Sequence, residues 1–460
     1  MSAARELARA AAGVRWSGLD EPTRDNARAV FLDTLAVMAG GVARDLQSGL
    51  RRLLLAGSGD GPATVLGAAR GLSVSEAVAL NATLPTVLQL DEGYRLSRGH
   101  PGIHVVPVAL AVGEQRGASV DEVLSALVAG YEVAARIGVA MGGTKPDIHP
   151  HGNWGAVGAA VAAAWLHSDA DPAAIEAAID IASGLAGRHD RRAAARGAGM
   201  HHLWASTGAH TGLIAGTAAA AGASAVEGAL VDFLLPGSGA APQPALLTDG
   251  LRDGSFTRFL IAENYFKLWA SCGHTHTAIG AALEIAAHGP VPVEDIETVE
   301  VRTFRAASTL DARTAENALA ARFSIPYVVA AALRDGRFDD DSVEDPALDA
   351  LTPIAARVRV VHDESMDEGY PERGRPTTVT VHLKDGGSRS AEALLSAGDP
   401  ETPATSTELE DKALRLFGSA FGQTAAREIV DRWNGLGASA SITQLSGALR
   451  RAVASEGGLS

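Results

Sequence analysis

The chain contains a single cysteine, Cys272, among 460 residues. One thiol excludes an internal disulfide bond and a zinc site built from four cysteines. Aromatic residues make up only 5% of the sequence, whereas glycine and alanine are abundant. Because small side chains let helices approach closely, this composition favours tightly packed helices.

Long apolar runs are also missing. The first residues, 1–7, are interrupted by charged side chains and lack the apolar centre of a secretory signal. The Ala/Val-rich stretch 155–166 is too short to cross a bilayer. These features predict a cytoplasmic protein that does not insert into membranes. A formal net charge of -15 predicts in addition that the surface repels nucleic acid.

Several common enzyme motifs are absent. The sequence has no Gly-x-Gly-x-x-Gly after a strand pattern, no phosphate-binding loop and no Gly-x-Ser-x-Gly in a strand–turn–helix setting. Nucleotide-dependent enzymes and serine hydrolases are therefore disfavoured. The segment Cys272-Gly-His-Thr-His276 resembles half of a metal site, but no second Cys/His half accompanies it. The sequence therefore predicts no metal.

Histidines are concentrated in apolar, Gly/Ala-rich surroundings. Nine of the 14 fall into four short groups: His100/His104, His149/His151, His201/His202/His210 and His274/His276. Histidine titrates near neutral pH and serves as acid or base. Brought together, these groups would form a protonatable pocket, which is typical of an enzyme rather than of a binding module.

Apolar periodicity divides the chain into two kinds of region. Through the first 235 residues apolar side chains recur at three- and four-residue steps, which predicts successive helices, with starts at Ser119 and at Asp171-Pro172. The small-residue stretch Gly212–Gly222 predicts another helix, and the Gly/Pro-rich stretch 236–254 predicts a loop or a partly ordered connection. After about residue 290, alternating patterns in Ile296–Thr303 and Thr377–Leu383 predict strands.

We therefore predict a mainly α fold, in which a large all-helical domain carries an inserted smaller α+β lid domain. The predicted ranges are 1–265 for the helical domain and 266–403 for the lid. Residues 404–460 return to the helical domain as C-terminal helices.

Some polar segments allow both a chemical and a structural interpretation. Asp91 and Glu92 precede His100 and form either an acid/base set or a solvated turn. His149 lies before a helix N-terminus, where a substrate carboxylate can dock, or it belongs to a capping loop. Tyr327 follows a proline and is either a proton donor or a core residue. The arginines at 188–196 form either an anion site or a solvated helix face.

Taken together, segments spread over nearly the whole chain resemble the MmgE/PrpD superfamily, which includes 2-methylcitrate dehydratase and cis-aconitate decarboxylase. The segments are 31–41, 100–102, 149–160, 266–276 and 321–333. The resemblance implies a helical domain with an α+β lid, a site in the cleft between them, and a homodimer. It also implies a small di- or tricarboxylate substrate, no metal and no organic cofactor.

The resemblance implies roles for particular residues. The predicted catalytic residues are His100, His149, His201, His276 and Tyr327, and the predicted substrate-binding residues are Gln89, Asp91, Lys267, His274 and Arg322. Two positions depart from the family pattern. Gln89 stands where an aspartate is expected, and His201 replaces a lysine, so a permanent charge becomes a titrating group.

These observations favour a cofactor-independent lyase of the dehydratase or decarboxylase type. It would act by proton abstraction next to a carboxylate, with positive groups stabilising the enolate-like charge. The alternative is an epimerase or isomerase of a polycarboxylate that uses the same acid/base site. A third alternative is a non-catalytic relative that binds a carboxylate or a protein partner.

The missing second half of a metal site leads to the first testable prediction. Activity is expected to survive prolonged treatment with EDTA, because no residue pattern in the sequence completes a metal-ligand set. The measurement is turnover before and after chelation and desalting. A complete loss that one added metal restores would show that the prediction is wrong.

Overall fold

Helices dominate the structure, which confirms the predicted fold class. The computed structural model describes residues 2–44, 48–289 and 291–455, and 57% of the chain is helical with only small sheets. The predicted domain ranges 1–265, 266–403 and 404–460 stay predictions. Parts of them, at residues 1, 45–47, 290 and 456–460, lie outside the described residues.

The first half of the chain forms a helical body. Its helices are α1 (Ala3–Ala12), α2 (Glu21–Ala43), α3 (Ser48–Gly57), α4 (Val74–Asn81), α5 (Gly102–Arg116), α6 (Val120–Ala140), α7 (Trp154–His167), α8 (Pro172–Leu185), α9 (Arg192–Ala195), α10 (His201–Ala220) and α11 (Leu235–Ser238). Six two-residue strands pair between them: β1 (Ala63–Thr64) with β2 (Gly71–Leu72), β3 (Ile148–His149) with β4 (His189–Asp190), and β5 (Leu251–Arg252) with β6 (Ser255–Phe256).

Side-chain caps account for several helix starts. Asp171 accepts a hydrogen bond from the backbone N–H of Ala173 at the start of α8, and Ser119 forms a capping box with Glu122 on α6. Both starts are those predicted, because a capping oxygen satisfies N–H groups that the helix leaves free. Helix α6 is long and apolar enough to span a membrane, but 94% of its most apolar window is buried inside the protein.

The predicted strands form one four-stranded sheet. Its members are β7 (Ile296–Thr303), β8 (Val358–His362), β9 (Thr377–Leu383) and β10 (Ser388–Ala393), in the order β10-β9-β7-β8. Only β7 and β8 are parallel. The surrounding helices are α12 (His276–Ala287), α13 (Arg305–Ser308), α14 (Ala318–Arg322), α15 (Ile325–Asp335) and α16 (Asp345–Ala355). We call this sheet with its helices the lid.

The chain then returns to the body through α17 (Ser406–Phe421), α18 (Gln423–Gly435) and α19 (Thr443–Ser455). One buried apolar core contains residues from 4–270 together with residues from 413–453, and a second contains residues from 278–391. A buried ion pair joins the returning segment to the body, since Lys412 Nζ lies 2.6 Å from Asp33 Oδ1. Lys412 also donates to the Leu90 carbonyl at 2.9 Å.

The structure refines two sequence expectations. The helix predicted over 212–222 begins at His201, so His201, His202 and His210 lie on one helix, α10. The predicted loop 236–254 contains a short 3-10 helix, Pro244–Thr248, and the strand β5. Single-sequence periodicity misses both features, because α10 opens with polar and aromatic residues and the second segment is only a few residues long.

Glycines bring α10 unusually close to α7. Methyl groups built at Gly212 and Gly216 would lie 2.5 Å from the Ala156 carbonyl oxygen and 2.3 Å from the Ala160 carbonyl oxygen. The contacting residues are four positions apart on both helices, as the packing of a ridge into a groove requires. Since no side chain fits between the backbones, these glycines determine where the first turn of α10 lies.

The second prediction tests this contact. Gly216→Ala is expected to lower the free energy of unfolding by about 1–3 kcal/mol, because the added methyl overpacks a site bounded by backbone. The matched control is Gly184→Ala on α8, where a methyl would meet nothing within 4 Å; helix propensity predicts that this change is neutral or stabilising. Urea unfolding of both variants is the measurement. Equal effects would argue against a tight α7–α10 contact.

Candidate active site

A cavity of about 1230 Å³ opens between the body and the lid. The body contributes His100, His149 and Lys267, and the lid contributes His274 and Tyr370. The segments that line it are the histidine groups and the loops between helices, which is the usual placement of binding residues on a helical scaffold.

Cationic side chains dominate the cavity wall. Three aspartates line it (Asp147, Asp190 and Asp367) against nine arginines and lysines: Arg95, Arg98, Lys145, Arg188, Arg191, Arg192, Lys267, Arg305 and Arg375. Among the described residues, Arg98, Arg188 and Arg191 have no carboxylate within ion-pair distance. In a chain of net charge -15, such a cavity concentrates the positive potential where an anionic ligand would enter.

A triad of ionisable residues, Asp91, Lys267 and His100, lies at the inner end of the cavity, with Asp91 and Lys267 buried and His100 half-buried. Lys267 Nζ is 3.1 Å from Asp91 Oδ1, and His100 Nδ1 is 3.0 Å from Asp91 Oδ2. Burial alone would raise the pKa of Asp91, but His100 and Lys267 outweigh it and hold that pKa well below its usual range. The aspartate is therefore ionised and places a negative charge beside Lys267 and His100.

The segment that carries Asp91 is held under backbone strain. Gln89 has a φ of +53°, which side-chain-bearing residues seldom adopt. Lys267 holds this segment by donating to the Gln89 carbonyl at 3.0 Å. Strain of this kind persists where the surroundings fix a residue for a purpose, as in ligand sites.

Behind the triad, Glu92 organises the start of α5. Its carboxylate accepts from the Gly102 backbone N–H at 2.7 Å and from the Tyr131 hydroxyl at 2.9 Å. Burial raises the pKa of Glu92 to about 7. Because α5 follows His100 directly, this buried carboxyl group helps to set the position of the His100 ring.

Three histidine rings meet beside the triad. The ring centroids of His149 and His151 are 4.4 Å apart, and both lie close to His201, at 5.1 and 5.3 Å. Burial, reinforced by neighbouring positive groups, lowers the pKa of each of the three well below its usual range. The rings are therefore neutral near pH 7 and are able to accept a proton or to donate a lone pair.

Further contacts fix these rings. His104 accepts the Gly152 backbone N–H at 2.8 Å and lies 3.1 Å from the His100 carbonyl through its other nitrogen. The indole of Trp204 packs against both His149 and His201, with centroid distances of 4.8 Å. The site thus rests on packed side chains of α5 and α10 rather than on a free loop.

The lid side of the cavity pairs aromatic rings with cations. His274 Nε2 lies 3.0 Å from the Tyr370 hydroxyl. The Arg375 guanidinium stacks over the Tyr265 ring at 4.6 Å, donates to the Gly273 carbonyl at 2.6 Å and pairs with Asp399 at 2.7 Å. Arg375 is therefore fixed in place and provides a preorganised positive charge.

Two family models match the chain. The MmgE/PrpD N-terminal domain matches residues 5–232, and the MmgE/PrpD C-terminal domain matches residues 269–434. The chain belongs to the MmgE/PrpD family. No curated protein matches the sequence significantly. The family assignment, predicted from the sequence motifs, is thereby confirmed.

In this MmgE/PrpD protein the predicted site residues do not all reach the cavity. Five line it: Gln89, His100, His149, Lys267 and His274. Asp91 and His201 lie immediately behind this lining and touch it, Asp91 through Lys267 and His100 and His201 through Gln89 at 2.9 Å.

The other three predicted residues, His276, Tyr327 and Arg322, do not line the cavity. His276 Nε2 lies 3.3 Å from the Ser271 carbonyl. The Tyr327 hydroxyl lies 2.8 Å from that of Thr352 inside the lid core, and Arg322 pairs with Glu344 at 2.6 Å. Their proposed catalytic or binding roles stay predictions.

Several lining residues received no individual role from the sequence. His151 had a signal, since it lies two residues from His149 and such residues share one side of an extended segment. Arg191 belongs to the arginine group that the sequence left open, and it lines the cavity. Tyr265, Tyr370 and Arg375 carried no local signal, because only the approach of lid and body brings them to the site.

The third prediction concerns Glu92. A folded carboxyl of pKa about 7 binds a proton that the unfolded chain, near 4.5, has released, so its contribution to stability is lost as pH rises between these values. Glu92→Gln removes this dependence. Relative to the native protein, the variant should therefore gain up to roughly 3 kcal/mol of unfolding free energy between about pH 4.5 and pH 8.

Urea unfolding across that pH range provides the measurement. The matched control is Glu408→Gln in the exposed capping box of α17, whose carboxylate lies outside the core. A Glu92→Gln difference that stays constant with pH would mean that the carboxyl is ionised throughout.

Proposed function

We propose that this protein is a cofactor-independent lyase that acts on a small di- or tricarboxylate. MmgE/PrpD membership indicates a dehydratase- or decarboxylase-type enzyme. The observation that carries the substrate class is the cavity wall, where nine cationic side chains surround an inner acid/base triad. Carboxylate groups are the small-molecule partners that such fixed guanidinium and ammonium groups recognise.

The site supports proton abstraction next to a carboxylate. Lys267 and Arg375 hold substrate carboxylates and stabilise the negative charge that develops on the enolate-like intermediate. A neutral ring, His149 or His151, accepts the proton from carbon. His100, whose Nδ1 lies 3.0 Å from Asp91 Oδ2, is placed to donate a proton to a leaving hydroxyl group. Water then leaves. From an unsaturated substrate that lacks the hydroxyl, carbon dioxide leaves without a prior proton abstraction: the electron pair of the broken carbon–carbon bond forms a new double bond, the existing double bond opens, and its far carbon takes up a proton from the site.

The alternative reaction is epimerisation of a polycarboxylate. It uses the same intermediate but returns a proton to the opposite face of the carbon. The site contains two kinds of histidine, neutral rings at His149 and His151 and a ring paired with a carboxylate at His100. Because a two-base epimerase needs two separate proton-transfer groups, a site that holds several histidine rings supports the alternative as well.

We also propose that the protein works as a homodimer. Large apolar side chains remain exposed on or beside α8 and α10: Leu185 at 55%, Met200 at 50%, Leu203 at 38% and Ile214 at 50%. Exposed apolar groups in one region support an association surface. A sedimentation measurement on the native protein and on Ile214→Glu tests this arrangement.

The fourth prediction separates the candidate reactions. The protein is incubated with a panel of di- and tricarboxylates in deuterated water, and products are identified by NMR. Deuterium uptake with loss of water or carbon dioxide is the expected outcome. Uptake with inversion alone would favour the epimerase, and binding without uptake would contradict both enzymes.

Variants of the triad sharpen this experiment. Asp91→Asn keeps the shape but removes the charge that pairs Lys267 and His100, so turnover should fall by about 10²–10⁴-fold while the protein remains folded. The control is His210→Gln on α10. The His210 ring does not line the cavity, and its Nε2 lies 2.6 Å from the Ser75 hydroxyl. If Asp91→Asn keeps native turnover, the triad does not drive the chemistry.

A further inference from the structure

The three neutral histidines beside the triad form a constellation that acid–base chemistry alone does not require. One nitrogen from each of His149, His151 and His201 can be chosen so that all three lie within 4.8 Å of one another, and all three residues are buried. Proton abstraction needs one accepting ring at a time. Three convergent imidazoles are instead the ligand set by which proteins hold a zinc ion with one open position.

Unsatisfied polar atoms lie at the same place. Nδ1 of His151 and Nδ1 of His201 are buried and have no hydrogen-bond partner among the described residues. A buried nitrogen without a partner destabilises the folded protein. A bound cation is one partner that would satisfy both atoms, whereas a core histidine that serves packing alone is normally hydrogen-bonded.

We propose that His149, His151 and His201 form a binding site for a zinc ion inside the cavity. His149 and His151 line the cavity, so the fourth coordination position faces the ligand space. Zinc–nitrogen bonds of about 2.1 Å place tetrahedral ligand atoms roughly 3.4 Å apart. Metal binding therefore draws the three rings together by small rotations, which the ring contacts of 4.4–5.3 Å allow.

The surroundings select the type of metal. Imidazole nitrogens suit zinc and its neighbours in the first transition series, whereas magnesium and calcium prefer oxygen ligands. The positive charges of Lys267 and Arg191 repel a bound cation. The Asp91 carboxylate offsets this repulsion, because Asp91, His100 and His151 form a second group of ligand atoms within 4.8 Å of one another. The site therefore suits a zinc-like ion, which is bound mainly through the lone pairs of the imidazole nitrogens rather than through the net charge of its surroundings.

Occupation of the site has a consequence for the proposed reaction, and this part rests on the proposed function. Zinc takes the lone pairs of His149 and His151, which the reaction needs as proton acceptors. The metal-free protein is then the active form, and zinc is a reversible inhibitor. This agrees with the expectation that chelation leaves activity intact.

The fifth prediction is direct binding of zinc. EDTA-treated, desalted protein should bind one equivalent of Zn²⁺ in calorimetry, and Co²⁺ should give the visible absorption bands of a tetrahedral site. His201→Gln should weaken binding at least about 100-fold, since even outer partners of metal ligands change affinity by 10–100-fold. Excess Mg²⁺ should not compete.

The matched control is His210→Gln, on the same helix and outside the cluster, which should bind as the native protein does. His149→Gln and His151→Gln guard against a folding defect in one variant, and circular dichroism confirms that each is folded. Unchanged zinc affinity in His201→Gln, or equal loss in His210→Gln, would overturn the site.

The activity assay is a separate arm. Zinc should abolish turnover of whichever carboxylate is a substrate, and EDTA should restore it. Zinc binding without inhibition would overturn the inhibitory role. If no carboxylate is turned over while zinc still binds with the predicted dependence on His201, the lyase proposal fails and the metal site stands.

Discussion

The backbone contact between α7 and α10 is the constraint on which the site depends. Gly212 and Gly216 let the two helices approach to a distance that no larger residue allows. His201 opens α10, and His149 and His151 directly precede α7, so the same contact places the three rings together. The scarcity of aromatic residues and the excess of glycine and alanine are therefore part of how the site is built.

Buried carboxylates compensate the positive charges that line the cavity. The chain is acidic overall, yet its cavity wall is cationic, and buried carboxylates behind the wall hold several of the cations. Asp399 fixes Arg375, and Asp91 fixes Lys267. Each pair is largely removed from water, so the geometry of the pair decides how much it stabilises the fold. Losing one partner would leave an unpaired buried charge.

Local patterns predicted much of this structure. The capping residues Ser119 and Asp171 and the alternation in β7 and β9 marked element boundaries, because hydrogen bonding and side-chain direction are decided within a few residues. The motif histidines marked part of the site. The direction of a side chain within a fold is a tertiary property, so the same motifs could not show that Tyr327 points into the lid core or that Arg375 reaches the cavity.

The ion pair between Asp33 and Lys412 links the second helix of the chain to the first helix after the lid. On a ribosome the body helices emerge first, then the lid, and the returning helices last. The lid core draws on one continuous stretch, 278–391, and is able to fold as soon as that stretch is exposed. The body core also needs residues 413–453. The intervening lid stretch 278–391 thus delays completion of the body core until residues 413–453 have been synthesised.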